Sequence, residues 1–265
     1  MILLKTPEDI KKIKKACAIW KIVRTELPNY VKPGITTHEL DLIAKELIEK
    51  HGGKPTFYKL YDFPGYVCIS VNDELIHGIG DNYVLKANDL ITFDIGVTYQ
   101  NHVCDAAFSM ITPPSNNPIA NKILNAAYKT LMASIEQIKP NNHIGDISSK
   151  TYEIAKNEGF EVIKSYGGHG CGNAPHEGPI ILNYGEPNTG IEIVPNMVLC
   201  IEPMLMTNSD KFKIKPNKWT VYAKNHKLTC HYEHMVLVTS NGCEILTLSN
   251  IEKEQFKSLN LKYPN

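Results

Sequence analysis

The period of the hydrophobic pattern changes along the chain, and the changes predict its elements. Thr6-Pro7-Glu8-Asp9 reads as a helix start, with threonine as N-cap, proline at the first position and acids in the first turn. The helical pattern that follows runs through Trp20 to about Glu26. A second helix is predicted from Thr37 to Lys50, stopping at Gly52-Gly53. A long third helix spans Ile119 to Ile138, and a fourth runs from Asp146 to Asn157 and stops at Gly159. Strand-like apolar runs accompany each helix pair: LITFDIGV and VCDAAFSMI in the first half, then YGGHGCG, VLCIEPML and YEHMVLVT in the second.

The two halves resemble each other. At one constant offset, VKPGITTHELDLIAKELIEKHGG and IKPNNHIGDISSKTYEIAKNEGF align Pro33 with Pro140, Leu40 with Ile147, Leu47 with Ile154 and Gly52 with Gly159. The same offset carries Asp94 to within one residue of Glu202. The expectation is an α+β chain forming a single domain over 1–265. It would be built from two pseudo-symmetric halves, roughly 1–112 and 113–250, each reading helix, helix, antiparallel strands. An active site at their interface follows from that plan.

At 265 residues and 43% apolar, the chain is long enough for one large core. Its 28 basic and 28 acidic residues balance, and no run of Lys or Arg is interleaved with aromatics, which argues against a sequence-reading nucleic-acid surface. The lysines from Lys11 to Lys15 are most simply a solvated helix face. Seven cysteines, scattered without a CxxC, read as reduced thiols. MILLKTPEDIKKIKK is too short in its apolar start for a signal peptide, and no stretch approaches about 18 uninterrupted apolar residues. A soluble cytoplasmic enzyme is expected, with no membrane partner.

Each strand-like run carries an acid or a histidine at odds with its apolar setting: Asp94, Asp105, His169, Glu202 and Glu233. Strand alternation puts Asp94 opposite in face to Ile91, Phe93, Ile95 and Val97, and Glu202 opposite to Leu199, Ile201 and Leu205. A hairpin turning near Tyr99-Gln100 would make Asp94 and Asp105 a directly opposed pair, with Cβ atoms about 5 Å apart. Carboxylates buried together raise each other's pKa, and desolvation adds to the cost, so a cation is needed to neutralise them. Oxygen ligands with one imidazole suit Mn, Fe, Co or Zn, and bridging carboxylates allow two ions roughly 3.5–4 Å apart.

NDELIHGIG, DIGVTYQNHVCD, GGHGCGNAPHEGP, CIEPML and YEHMVLVT, in this order and spacing, resemble the type I methionine aminopeptidases of the pita-bread metallopeptidase fold. The likeness extends from the first helix to about Leu248. The short N-terminus resembles the bacterial subtype, and the lack of a long insertion between the Glu202 and Glu233 strands argues against type II. The resemblance implies that two divalent ions are held by Asp94, by Asp105 and Glu233 as bridges, and by His169 and Glu202. It implies that Glu202 also shuttles the proton, that His176 contacts the developing oxyanion and that His77 contacts the peptide beyond the scissile bond. The substrates it implies are peptides and nascent chains with N-terminal methionine and a small second residue, met by a monomer at the ribosome. His102, His143, His226, His231 and His234 match no such role and are expected to be structural.

By the same resemblance, the methionine pocket maps onto Phe57, Leu60, Phe63, Cys68, Pro175 and Trp219. Leu60 replaces an aromatic common in bacterial members, and Pro175 stands where a bulkier apolar residue often precedes the second histidine, so the pocket is expected to be roomier. A thioether still packs well against Phe63, Trp219 and a cysteine sulfur. Two rival readings share much of this pattern. One is an Xaa-Pro peptidase of the prolidase or aminopeptidase P kind, which usually carries a further N-terminal domain. The other is a non-catalytic pita-bread binding protein, which would be expected to have lost ligands.

Overall fold

A computed structural model describes residues 2–259. Helices α1 (Pro7–Glu26) and α2 (Thr37–Lys50) precede β1 (Lys54–Pro55), β2 (Cys68–Val71), β3 (Glu74–Ile76) and the hairpin β4 (Leu90–Tyr99) and β5 (His102–Ile111). Helices α3 (Pro118–Ile135) and α4 (Ile144–Asn157) precede β6 (Glu161–Val162), β7 (Gly167–Gly170), β8 (Glu177–Leu182), β9 (Val198–Ile201) and β10 (Met204–Met206). The chain continues through β11 (Phe212–Ile214), β12 (Val221–Ala223), β13 (Thr229–His231), β14 (His234–Val238) and β15 (Cys243–Ile245) to α5 (Asn250–Ser258).

The sequence signals explain the helix ends. Thr6 accepts a hydrogen bond from Asp9 N while the Asp9 carboxylate accepts one from Thr6 N, closing a capping box at α1. Thr36 and Glu39 do the same for α2. Helix α3 stops at Ile135, short of the expected Ile138: Gln137 N and Ile138 N donate to Ser134 O and Ile135 O, so the pairing tightens into a turn before Pro140. Helix α4 begins at Ile144, ahead of the expected Asp146; the Asp146 carboxylate accepts from His143 N at 2.7 Å and so belongs inside the first turn.

All the sheet pairings between strands are antiparallel. Strand β4 is flanked by β5 on one side and by β1 and β2 on the other, while a second sheet runs β15-β14-β9-β7-β8. The helices cover the apolar face: Trp20 of α1 is fully buried, meets Phe108 edge-on at 6.3 Å, and donates its indole N–H to Ala106 O. Phe93 and Phe108, opposed across the hairpin, stack at 5.3 Å. Burying a side chain of that size stabilises the fold by roughly 2–3 kcal/mol. The opposite face of the same hairpin carries the acids.

Two expectations about that face need correction. The hairpin turns at Gln100-Asn101, both with positive φ (46° and 62°), as a two-residue turn of this twist requires. The register therefore pairs Asp94 with Ala107 and Asp105 with Gly96, so the two aspartates are diagonal neighbours on one face instead of directly opposed. Glu202 and Glu233 do not lie within continuous strands either. Both fall in two-residue interruptions, between β9 and β10 and between β13 and β14, where the chain passes from one sheet to the next.

Candidate metal centre and active site

The five ligand candidates meet because pairing continues across the sheet boundary. Cys68 pairs with Asp94 and Asp94 with Ala107. Ala107 and Glu233 then exchange backbone hydrogen bonds, Glu233 N to Ala107 O at 2.9 Å and the reverse at 3.4 Å. Opposed residues share a face, so Asp94, Asp105 and Glu233 project into one space. Their carboxylate oxygens lie within 4.8 Å of one another. Strand β7 delivers His169 beside Cys200, and His169 Nε2 stands 3.4 Å from Glu202 Oε1. Gly168 makes this approach possible: a Cβ there would fall 2.1 Å from the Cys200 carbonyl oxygen.

The electrostatics of the cluster require a counter-charge. Burial, then repulsion from Asp105 and Glu202, pushes the Asp94 carboxyl well above the usual carboxylate range. Glu233 is raised for the same reasons, and burial raises Asp105 to about 6. Asp94 Oδ1, Asp105 Oδ1 and Glu233 Oε1 are buried without a hydrogen-bond partner. Three orphaned carboxylate oxygens facing a common point form a donor set for a hard or borderline divalent cation. Glu202 behaves differently. Burial works against its charge, but the His231 and His169 imidazoles hold its carboxyl below the ordinary value.

His77 and His176, expected from the sequence to contact substrate, line the same cavity as this cluster, and a ring nitrogen of His176 lies within 4.8 Å of ligand atoms of Asp105 and His169. His77 follows β3 with φ of 56°, a left-handed conformation uncommon for a side-chain-bearing residue and concentrated at functional sites. Its successor Gly78 is obligatory, since a Cβ there would lie 2.0 Å from Ile69 O. Burial lowers the His77 pKa, leaving a neutral ring packed edge-on against Tyr166 at 5.8 Å. His176 comes from the loop between β7 and β8, with its ring 4.7 Å from that of His169 and stacked on Tyr61 at 5.9 Å. Desolvation in the cleft, then the neighbouring His169, depresses its pKa as well.

These residues line a cavity of 710 Å³. Phe57, Phe63 and Cys68 form a small buried cluster with Leu60 and Trp219 packed against it, and Phe63 meets Trp219 edge-on at 5.2 Å. Burial, then Asp94, holds the Cys68 thiol well above its usual pKa, so it faces the cavity as a neutral sulfur. Pro175 is not in the lining. The backbone N–H groups of Asn173 and Ala174 both donate to Glu177 Oε1, and the resulting turn aims His176 inward and leaves Pro175 outside.

The sequence reading missed Tyr61, Tyr166, Met204 and His231, all of which line the cavity. His231 is the important omission: it is 1% exposed, and its Nε2 lies 3.4 Å from Glu202 Oε2. The signal was present, because a residue two positions before Glu233 shares its face under strand alternation. The other four histidines set aside have structural partners or places: His102 with Asp9, His226 with Asp73, His234 with Thr247, and His143 as the residue preceding α4.

Residues 11–240 match the metallopeptidase family M24, and the chain belongs to that family. It is 40% identical over 248 residues to the methionine aminopeptidase of Mycoplasma genitalium, covering 93% of this chain and 100% of that protein. The crystal structure of methionine aminopeptidase from Thermotoga maritima superimposes with a TM-score of 0.91 at 34% identity, covering 93% of this chain and 99% of that one. Prolidase from Pyrococcus furiosus, at 24% identity and a TM-score of 0.76, shares the fold; the match covers 92% of this chain and 65% of that one. The architecture is thus the α+β pita-bread fold.

Proposed function

We propose that this site hydrolyses the peptide bond after an N-terminal methionine, releasing it from nascent chains whose second residue is small. The observation that carries the reading is adjacency: orphaned buried carboxylate oxygens lie beside an apolar wall of Phe57, Phe63, Cys68 and Trp219. Asp94, Asp105, His169, Glu202 and Glu233 would hold two divalent ions, with Co, Mn, Fe and Zn all compatible with the donor set. When bound, such ions supply Lewis acidity that activates water and polarises the scissile carbonyl.

The chain's own residues supply binding, orientation and proton transfer. The Glu202 carboxylate takes the proton released as the water oxygen adds to the carbonyl carbon, then returns it to the leaving nitrogen as the C–N bond breaks. Water is thereby divided between the carboxylate of free methionine and the new amino terminus. His176 donates an N–H to the developing oxyanion, and His77 donates to the peptide beyond the scissile bond; low pKa values keep both rings neutral. The neutral Cys68 sulfur and the Phe63 and Trp219 rings receive the thioether. Leu60, slimmer than an aromatic, leaves that wall roomier.

The chain is read as one catalytic domain of two halves, acting as a cytoplasmic monomer; among the described residues, no helix is long and apolar enough to cross a membrane. Encounter with nascent chains at the ribosome is supported by exposed Lys211, Lys213, Lys218, Lys224 and Lys227 on and around the β11–β12 hairpin, which also carries Trp219 into the cavity. Phosphates would be held there without sequence reading.

The test is turnover of Met-Gly, Leu-Gly and Xaa-Pro peptides with each metal in turn, alongside metal content. Selective release of methionine is expected. Equal turnover of Met-Gly and Leu-Gly would overturn the pocket argument, cleavage confined to Xaa-Pro would support a prolidase, and absence of both metal uptake and turnover would leave a binding scaffold.

A further inference from the structure

The segment ahead of α1 is tied to the loop that presents His176. Lys5 is 3% exposed, and its ammonium pairs with Glu177 Oε2, the two side chains being 1% and 5% exposed. The other oxygen of the same carboxylate, Oε1, accepts from Asn173 N at 2.7 Å and Ala174 N at 2.8 Å. Glu177 therefore gathers the backbone of the loop with one oxygen and fastens it to the N-terminal segment with the other. The segment is itself held, because Lys5 N donates to Asn196 O at 2.9 Å and Ile2 bridges to Gly178. On the remaining side, Val103 N of β5 donates to Gly172 O at 2.7 Å.

Placing two charges in such an enclosure is expensive for stability alone. Desolvation cancels much of the attraction, and well-packed apolar residues would often serve as well. What the pair provides is a fixed backbone directly before His176, whose ring must be aimed with little error. His176 is the residue adjacent to Glu177, with Tyr61 against one side of its ring and His169 against another.

We propose that the Lys5–Glu177 ion pair is a positioning device for His176, in which the N-terminal segment fixes the loop so that the imidazole faces the reacting carbonyl. The inference rests on the reading of His176 as oxyanion donor given above. Neither Lys5 nor Glu177 is assigned contact with the substrate; both act through His176.

The decisive experiment is a double-mutant cycle in the metal-loaded full chain, with Lys5→Met, His176→Ala and their combination compared for kcat, KM and metal content. Lys5→Met is expected to lower kcat by roughly 10-fold to 100-fold, as a misplaced group does, with KM and metal content close to wild type. In the His176→Ala background the same change should leave kcat unaltered, because the residue it positions is gone. An equal loss in both backgrounds, or wild-type kcat in Lys5→Met, overturns the proposal. Wild-type kcat in His176→Ala overturns both this proposal and the oxyanion role, so the two failures are distinguishable. Should Lys5→Met fold poorly, Lys5→Met/Glu177→Gln carries no unpaired charge and retains an acceptor for Asn173 and Ala174. It replaces the single variant in the cycle with the same expected and overturning results.

Discussion

Glu202 and Glu233 face each other across the point where two paired strands break together. Ile201 pairs with His234 before the interruption and Met204 with His231 beyond it, in unchanged register, which sets Glu202 opposite Glu233. Two like charges directly opposed on a sheet are destabilising, and burial makes the conflict worse. The break frees both backbones from strand pairing at the residue where their carboxylates must turn towards Asp94 and Asp105.

Removing a charge from this cluster should affect the metal-free and metal-loaded protein in opposite ways. Asp105→Asn and Glu233→Gln each relieve repulsion, so the metal-stripped variants should melt at a higher temperature than stripped wild type. The same changes should weaken metal binding by more than the roughly 10–100-fold typical of losing an outer partner. Calorimetry of stripped and loaded samples, with elemental analysis, checks both signs. Retention of two ions by either variant contradicts its role as a bridge.

His169 and His176 stand 4.7 Å apart, ring to ring, yet should respond differently to truncation. His176→Ala should retain its metals and lose about 10²–10³ in kcat, the usual cost of one oxyanion donor. His169→Ala should lose metal. If both variants lose metal equally, His176 is a ligand and the division of roles fails.

Much of this site was legible in the sequence because parity is robust. The turn falls one residue later than expected, but this moves the pairing of Asp94 and Asp105 by two positions, which preserves the face while changing the partner. The paired break at Glu202 and Glu233 was half legible: Pro203, with no N–H to donate, marks the end of β9, whereas nothing in YEHMVLVT marks its break and only tertiary pairing reveals where that strand changes sheet. Pro175 illustrates the converse. Position in a motif suggested a pocket wall, whereas Glu177, through its bonds to Asn173 and Ala174, decides which way that turn faces. Lys5 and Glu177 lie too far apart in the chain for any local pattern to pair them.

His231 should matter through Glu202. Its imidazole stands on the side of the carboxylate away from His169, so His231→Leu should leave Oε2 of Glu202 without the neighbour that holds it in place; the proton affinity of Glu202 should rise, but its carboxylate would no longer be aimed at the reacting water. The expected result is a fall in kcat of roughly 10–100-fold with KM little changed. His231→Gln, which restores an N–H donor, should recover part of the loss. A kcat in His231→Leu equal to wild type would remove His231 from the mechanism.

At the start of α1, Asp9 gives the fold a predictable response to acid. Its carboxylate accepts from the Thr6 hydroxyl and amide and lies 2.8 Å from His102 Nε2, tying the start of α1 to the start of β5. The Thr6 hydroxyl, then His102, holds the Asp9 carboxyl well below the usual carboxylate range. A depressed folded-state pKa means the unfolded chain takes up the proton first. The stabilisation is therefore complete above about pH 4 and is lost as pH falls below that towards the folded value. Wild type should exceed Asp9→Asn by about 1 kcal/mol at pH 6, the usual worth of a helix cap, with the gap narrowing below about pH 4 and closing only as the folded-state carboxyl itself takes up its proton. Urea unfolding of both proteins across that range measures the gap directly; a difference that persists unchanged in acid would mean that the charge of Asp9 contributes nothing.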